Sequence, residues 1–289
     1  MERIRDGFLE TGKVVGFDVS VHDLGHGHHE ITAYRALEWE RGAQLSPVAL
    51  EMYLEAVERH REETESERAE RSLKNSAIRA RKSVRRYCKV IGADTLLTLT
   101  YRANVADLDV AKADLKGFNR RVLAILPGFK FVCGFERQKR GAWHMHLACA
   151  GLPTFFEKTN RTGQKYRVKS FDVFRAIWRS VAGDAGGNVD VARRKRNSRR
   201  SPAKIAAYLS KYITKAFTEG EKWSNRWTRY GDMELPDAVH LGRWEHMADA
   251  MQAAFGLLSE HDAIVKFTCS EYVDMMFIAA ERPCRPGLG

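Results

Sequence analysis

Two imidazoles one residue apart, a carboxylate just upstream, and two phenols on a basic segment are the groups whose types and spacing could do chemistry. The imidazoles are His144 and His146 in WHMHLACAG (143–151), and the carboxylate is Glu136, at the end of FKFVCGFE (129–136). Side chains at i and i+2 of a strand project from the same face, so both imidazoles share one side while Met145 and Leu147 take the other. If the strands on either side of RQKRGA pair so that Glu136 lies across from His144, all three groups converge. Two imidazoles and a carboxylate leave open positions for water or a substrate oxygen, as a catalytic divalent metal requires. On its own an HxH strand can equally be polar surface.

The phenols are Tyr208 and Tyr212 in AKIAAYLSKYITKAF, with Lys211 between them. On a helix, Ile205, Leu209 and Ile213 form an apolar stripe, while Tyr208, Lys211, Tyr212 and Lys215 share a different face. Two phenols at i, i+4 offer two oxygen nucleophiles on neighbouring turns. Taken alone, this pattern also fits packing and solvation.

The elements that would position these groups follow from periodicity. TLLTLTYR (95–102) alternates Leu97 and Leu99 with Thr98 and Thr100, as a strand does. Residues 107–126 repeat Leu108, Leu115, Phe118, Val122 and Ile125 at helical spacing, ending at Pro127-Gly128. Two hairpin strands (129–136 and 143–151), a helix over 171–181, a strand over 187–193 and a helix over 202–217 complete a β-α-β-β-α-β order followed by a helix. That order is the split βαβ of ferredoxin-like and RRM-like folds: α+β, with helices on an antiparallel sheet. It places the third strand centrally, beside the first and the second.

TLTYR (98–102), WHMHLA and YLSKY (208–212) occur in the order of three motifs, and together they resemble the HUH endonuclease superfamily. Within it the chain is similar to rolling-circle replication initiators, including the two-tyrosine gene A type of small phages, over about residues 94–217. The resemblance implies an HUH nuclease core in which His144, His146 and Glu136 hold Mg²⁺ or Mn²⁺. Tyr208 aligns with the tyrosine of YxxK, Lys211 with its lysine, and Tyr212 with the second tyrosine of the paired type. The segment reads equally as a YxxK enzyme whose Tyr212 is structural. Thr98, Thr100 and Arg102 come from the first motif as DNA contacts. The implied chemistry is nicking and rejoining of single-stranded DNA at an origin, through a 5′-phosphotyrosine link that leaves a 3′-hydroxyl to prime synthesis. A transposase or relaxase would share that chemistry, whereas a non-catalytic binder on an RRM-like sheet would show exposed strand aromatics instead. A host replication helicase or polymerase would be a further partner.

Charge agrees with a polyanionic partner. The 289 residues carry 48 Lys and Arg against 37 Asp and Glu, a formal net charge of +11. Between Val191 and Thr218 there is no acidic residue, while Arg193, Arg194, Lys195, Arg196, Arg199, Arg200, Lys204, Lys211 and Lys215 accumulate. Such a cluster grips backbone phosphates in a salt-sensitive way. Trp143, Trp178, Trp223 and Trp227 are candidates to stack unpaired bases, with KWSNRWTRYG (222–231) the best segment outside the catalytic core. For each tryptophan singly, core packing is the competing role.

The five cysteines form no CxxC pair, which excludes a thiolate zinc site and a disulfide framework. No apolar run reaches the roughly 20 residues of a membrane span, so the expectation is a cytoplasmic protein of a bacterial host cell that needs no membrane partner. Three regions are expected: an N-terminal accessory region (1–90) that is largely a charged helix over 47–89, the endonuclease domain (91–220), and a C-terminal extension (221–289). Residues 1 to about 45 show little pattern beyond VHDLGHGHHE, a His-rich tract expected to be an exposed loop. The basic end of the 47–89 helix, ARKSVRRYCK, is expected on a charged helix surface or along a phosphate backbone. A helix over 246–258 and strands near 264–268 and 272–278 are expected in the extension.

Overall fold

The computed structural model describes residues 2–61, 65–193, 205, 207–209, 226–270 and 274–282. The strands are β1 (Glu2–Arg5), β2 (Phe8–Asp23), β3 (His28–Gln44), β4 (Thr95–Tyr101), β5 (Phe131–Arg137), β6 (Trp143–Cys149), β7 (Phe155–Thr159), β8 (Lys165–Lys169), β9 (Gly186–Arg193), β10 (Trp227–Tyr230), β11 (Val239–Trp244), β12 (Ala263–Ser270) and β13 (Met275–Glu281). The helices are α1 (Pro47–Arg61), α2 (Glu65–Val90), α3 (Leu108–Leu123), α4 (Ser170–Ala182) and α5 (Met247–Gly256). The fold class is therefore α+β with antiparallel sheets, as expected from the sequence. The chain divides into two compact units at Ser72/Leu73 and Leu235/Pro236.

The unit from Leu73 to Leu235 is built on a five-stranded sheet in the order β10-β5-β6-β4-β9, antiparallel throughout. Without its added edge strand β10, this is the split βαβ order, with β6 central between β4 and β5. The alternation of β4 decides which way its residues point. Leu97, Leu99 and Tyr101 are buried, while Thr98 and Thr100 on the other face are half-buried. On the buried side α3 brings Ala111, Leu115, Phe118 and Val122, and α4 brings Phe174 and Trp178, against Phe131, Phe135, Met145 and Leu147 of the strands. Asp107 caps α3 by accepting from the Asp109 amide at 2.8 Å, satisfying one of the free N–H groups of the first turn. Trp178 is fully buried, stands 5.0 Å from the Tyr101 ring, and donates its indole N–H to the Thr100 carbonyl at 2.8 Å. That pair of contacts fastens α4 to β4 directly behind the threonine face.

The opposite face is only partly open. Ala80, Val84 and Cys88 of α2, with Leu209, pack there against Val132 and Ala148. Arg86 and Lys89 are buried at this end of α2, so part of the run expected on a charged helix surface lies inside the fold. Residues 205 and 207–209 are helical, in agreement with the expected helix over 202–217, whose other residues lie outside those described.

In the other unit the sheet order is β1-β2-β3-β13-β12, with β11 pairing β2 beside β1. Helix α5 covers one face through Ala250 and Ala254, against Val19, Ile31, Met276 and Ile278. The long hairpin β2–β3 corrects the expectation of little pattern before residue 45. Register shifts between Phe8 and Glu10 and between Val14 and Gly16 break its alternation, which hid it in the sequence. The His-rich tract is also not a simple exposed loop. His22 and His29 sit on the paired strands, His28 is buried at the start of β3, and only the turn at Gly25–Gly27 is irregular, with His26 at φ 51°. The expected helix over 47–89 is two helices, α1 and α2, with 62–64 outside the described residues. Among the described residues, no helix is long and apolar enough to cross a membrane.

Candidate functional site

The register across the central strands assembles the candidate site. Glu136 pairs directly with His144, and Thr100 lies on its other side. One step along, His146 sits between Gly134 and Thr98, with Asp190 of β9 beyond Thr98. One face of the sheet therefore carries Glu136, His144, His146, Thr98 and Thr100, as the alternation implied.

Distances refine the picture. His146 Nε2 lies 3.0 Å from Glu136 Oε2, and His146 Nδ1 lies 3.2 Å from Thr98 Oγ1. The two imidazole centroids are 6.2 Å apart. Above them, the Tyr208 ring stands edge-on to His146, with 6.4 Å between centroids and 88° between planes. Tyr208 keeps 44% of its surface exposed, whereas its neighbour Leu209 is fully buried. The packed leucine anchors the segment and leaves the phenol facing solvent beside the histidines.

Both imidazoles are held neutral. Burial pushes the His144 pKa down to about 4; the neighbouring His146 and Arg140 add to this, and Glu136 opposes it. Burial also lowers His146, against the hydrogen bond and charge of Glu136. A neutral imidazole presents the lone pair that a cation needs, and a carboxylate supplies a hard oxygen. The donor set therefore suits a divalent ion, with His144, His146 and Glu136 as the residues that would hold it. Here the Glu136 carboxylate closes onto His146, and among the described residues no three His, Cys, Asp or Glu side chains are gathered around one point.

Other sequence candidates fall in varied places. The Thr100 hydroxyl donates to the Asn188 carbonyl at 2.8 Å and accepts from the Asn188 amide at 2.9 Å, bridging the irregular pairing between β4 and β9. Arg102 is exposed and donates to the Asp184 carbonyl at 2.9 Å. Arg193 donates to the carbonyls of Leu152 and Pro153, each at 2.5 Å, and to the Ser170 hydroxyl at 2.8 Å, so it ties the start of α4 to the chain before it. Arg194, Lys195, Arg196, Arg199, Arg200, Lys204, Lys211, Tyr212, Lys215 and Trp223 lie outside the described residues. Trp143 and Trp178 are core residues whose indoles donate to backbone carbonyls. Trp227 and Tyr230 lie on the edge strand β10. Together with Lys112, Leu115, Phe135 and Thr228 they line a cavity of about 250 Å³ on the border of α3. Cys88, Cys133 and Cys149 are buried, and burial raises their thiols, so they act as small apolar residues.

Sequence reasoning passed over Arg140. Its guanidinium donates to the carbonyls of Tyr101 and Arg102, and its charge helps keep His144 neutral. Its place in the β5–β6 turn, next to a strand histidine, was the available signal.

Residues 94–217 match the family model of the replication-associated protein ORF2. The matched segment starts just before β4 and runs past Tyr208, so it spans every residue of the candidate site while covering less than half of the chain. Over that stretch the chain is similar to replication-associated proteins. No curated protein and no solved structure matches it.

Proposed function

We propose that the protein is a replication initiator that nicks and rejoins single-stranded DNA at an origin, with Tyr208 as the attacking nucleophile and a divalent ion, Mg²⁺ or Mn²⁺, as cofactor. The observation that carries this reading is an exposed phenol beside an imidazole–carboxylate face. That the match to replication-associated proteins covers the same segment supports it.

The chemistry is transesterification. Tyr208 Oη bonds to the scissile phosphorus as the bond to the 3′ oxygen breaks; the phenol gives up its proton and the 3′ oxygen gains one. The product is a 5′-phosphotyrosine and a free 3′-hydroxyl, and the phosphodiester is conserved for later rejoining. A phenol of ordinary pKa near 10 is a weak nucleophile at neutral pH, so its surroundings must activate it. Bound between the imidazoles and Glu136, the ion would offset charge developing on the phosphate oxygens. His144 and His146 orient that site by staying neutral. The sheet behind them, held by Trp178 and α3, keeps water from one side. Lys211 and Tyr212 retain the roles the resemblance implies: a cation beside the nucleophile and a second nucleophile. The strand is drawn along the basic run from Arg194.

A non-catalytic RRM-like binder would display aromatics on its open sheet face. Here Tyr101, Phe131, Phe135 and Trp143 are buried on the helix side, and the opposite face presents histidine, glutamate and threonine. The test is to incubate the protein and Mn²⁺ with labelled single-stranded oligonucleotides tiling the DNA around its gene, then resolve the products under denaturing conditions. A cleaved strand joined to protein is expected from the parent chain, and none from Tyr208→Phe combined with Tyr212→Phe. An undiminished adduct in that double variant sinks the tyrosine assignment.

A further inference from the structure

We infer that Thr98 is a positioning residue of the cation site: its hydroxyl holds the His146 ring in one orientation while the ring's proton changes nitrogen on cation binding. The inference rests on the functional reading above, in which His146 is a ligand.

His146 is 6% exposed and lies between two neighbouring strands. From β4, Thr98 Oγ1 reaches Nδ1 at 3.2 Å; from β5, Glu136 Oε2 reaches Nε2 at 3.0 Å. A neutral imidazole has one N–H and one lone pair, and an ionised carboxylate only accepts. In the arrangement seen here the proton therefore sits on Nε2, and the Thr98 hydroxyl donates to Nδ1. To serve a cation, Nε2 must offer its lone pair instead. The Nε2 proton then leaves to solvent, Nδ1 takes one up, and the Nδ1–H donates to Thr98 Oγ1. A hydroxyl both donates and accepts by rotating its hydrogen, so Thr98 satisfies Nδ1 in either state. A carbonyl or a carboxylate at this place would favour one tautomer alone. Groups that orient a ligating histidine through its second nitrogen commonly change metal affinity 10–100-fold when removed. The first sequence motif thus contributes, through Thr98, to the cation site as well as to DNA contact.

The test uses the full chain without DNA. The ¹⁵N resonances of the His146 ring, with and without Mg²⁺, report directly which nitrogen carries the proton. The expected result is Nε2–H without Mg²⁺ and Nδ1–H with it; the same protonated nitrogen in both states overturns the proposal. Mn²⁺ affinity read by electron paramagnetic resonance should fall about 10–100-fold in Thr98→Val and stay near the parent value in Thr98→Ser. Equal weakening in both variants, or none in Thr98→Val, refutes a role for the hydroxyl. His146→Ala separates the two readings. If it weakens Mn²⁺ binding while Thr98→Val does not, only the role of Thr98 fails. If it leaves Mn²⁺ binding unchanged, the cation reading fails and this proposal falls with it.

Discussion

His144 and His146 share a strand face but meet different neighbours, and the difference has a measurable consequence. His144 is held down to about pH 4, chiefly by burial, with His146 and Arg140 adding to it. Protons therefore compete with a cation at this ring only near pH 4. An ordinary histidine, with pKa near 6.5, would already lose about fourfold in cation affinity at pH 6. Mn²⁺ affinity should thus stay nearly flat from pH 8 to pH 6 and fall steeply towards pH 4, which calorimetry across that range would check. A loss beginning near pH 6.5 would place the ion elsewhere. His144→Ala should abolish cation-dependent cleavage and leave most single-strand binding intact, as read by gel assay and fluorescence anisotropy. These residues were legible in the sequence because strand periodicity fixes their common face and the hairpin register follows from a short turn. The Thr98 and Arg140 contacts were not, because they depend on which strands neighbour β6.

At the scale of elements, the site is only as rigid as the join of β4, α4 and β9. Trp178 fills the space behind Thr98 and Thr100 and hydrogen-bonds the backbone between them. Its replacement by alanine should cost about 3–5 kcal/mol in a urea melt. Gly187 is a second dependence. A Cβ there would stand 2.7 Å from the Thr100 carbonyl oxygen and 2.8 Å from the Arg102 amide nitrogen, both backbone atoms that cannot yield. Gly187→Ala should cost about 1–3 kcal/mol by overpacking and loosen β9 from β4, visible as faster amide exchange at Asn188. The helices and strands of this unit were readable because each buries one face, which enforces period 3.6 or period 2. The hairpin β7–β8 was not expected: its residues are largely exposed on both faces and leave no alternation to read. Strand β10 was read as a stacking segment because four residues are too few to show a period; its Tyr230 instead stacks on Phe131 at 5.1 Å.

For the molecule as a whole, the sequence announced a polyanionic partner through its charge, and the sheet supplies a place for one to react. Single-strand binding should weaken steeply with salt. Each phosphate contact contributes about 0.7 to the slope of log affinity against log salt, so replacing Arg199 and Arg200 together by alanine should reduce that slope by roughly 1.4. An unchanged slope would remove the basic run from the interface. Arg193 should behave differently: its guanidinium ties the chain to itself, and its loss should lower stability more than it alters the salt slope. The central claim concerns the atom that attacks DNA, and mass spectrometry of the protein–DNA adduct, digested with protease and nuclease, tests it most directly. The account predicts a nucleotide joined through its 5′ phosphate to the peptide containing Tyr208. A nucleotide found on a residue outside the 208–212 segment, or cleavage with no linked peptide at all, would contradict it.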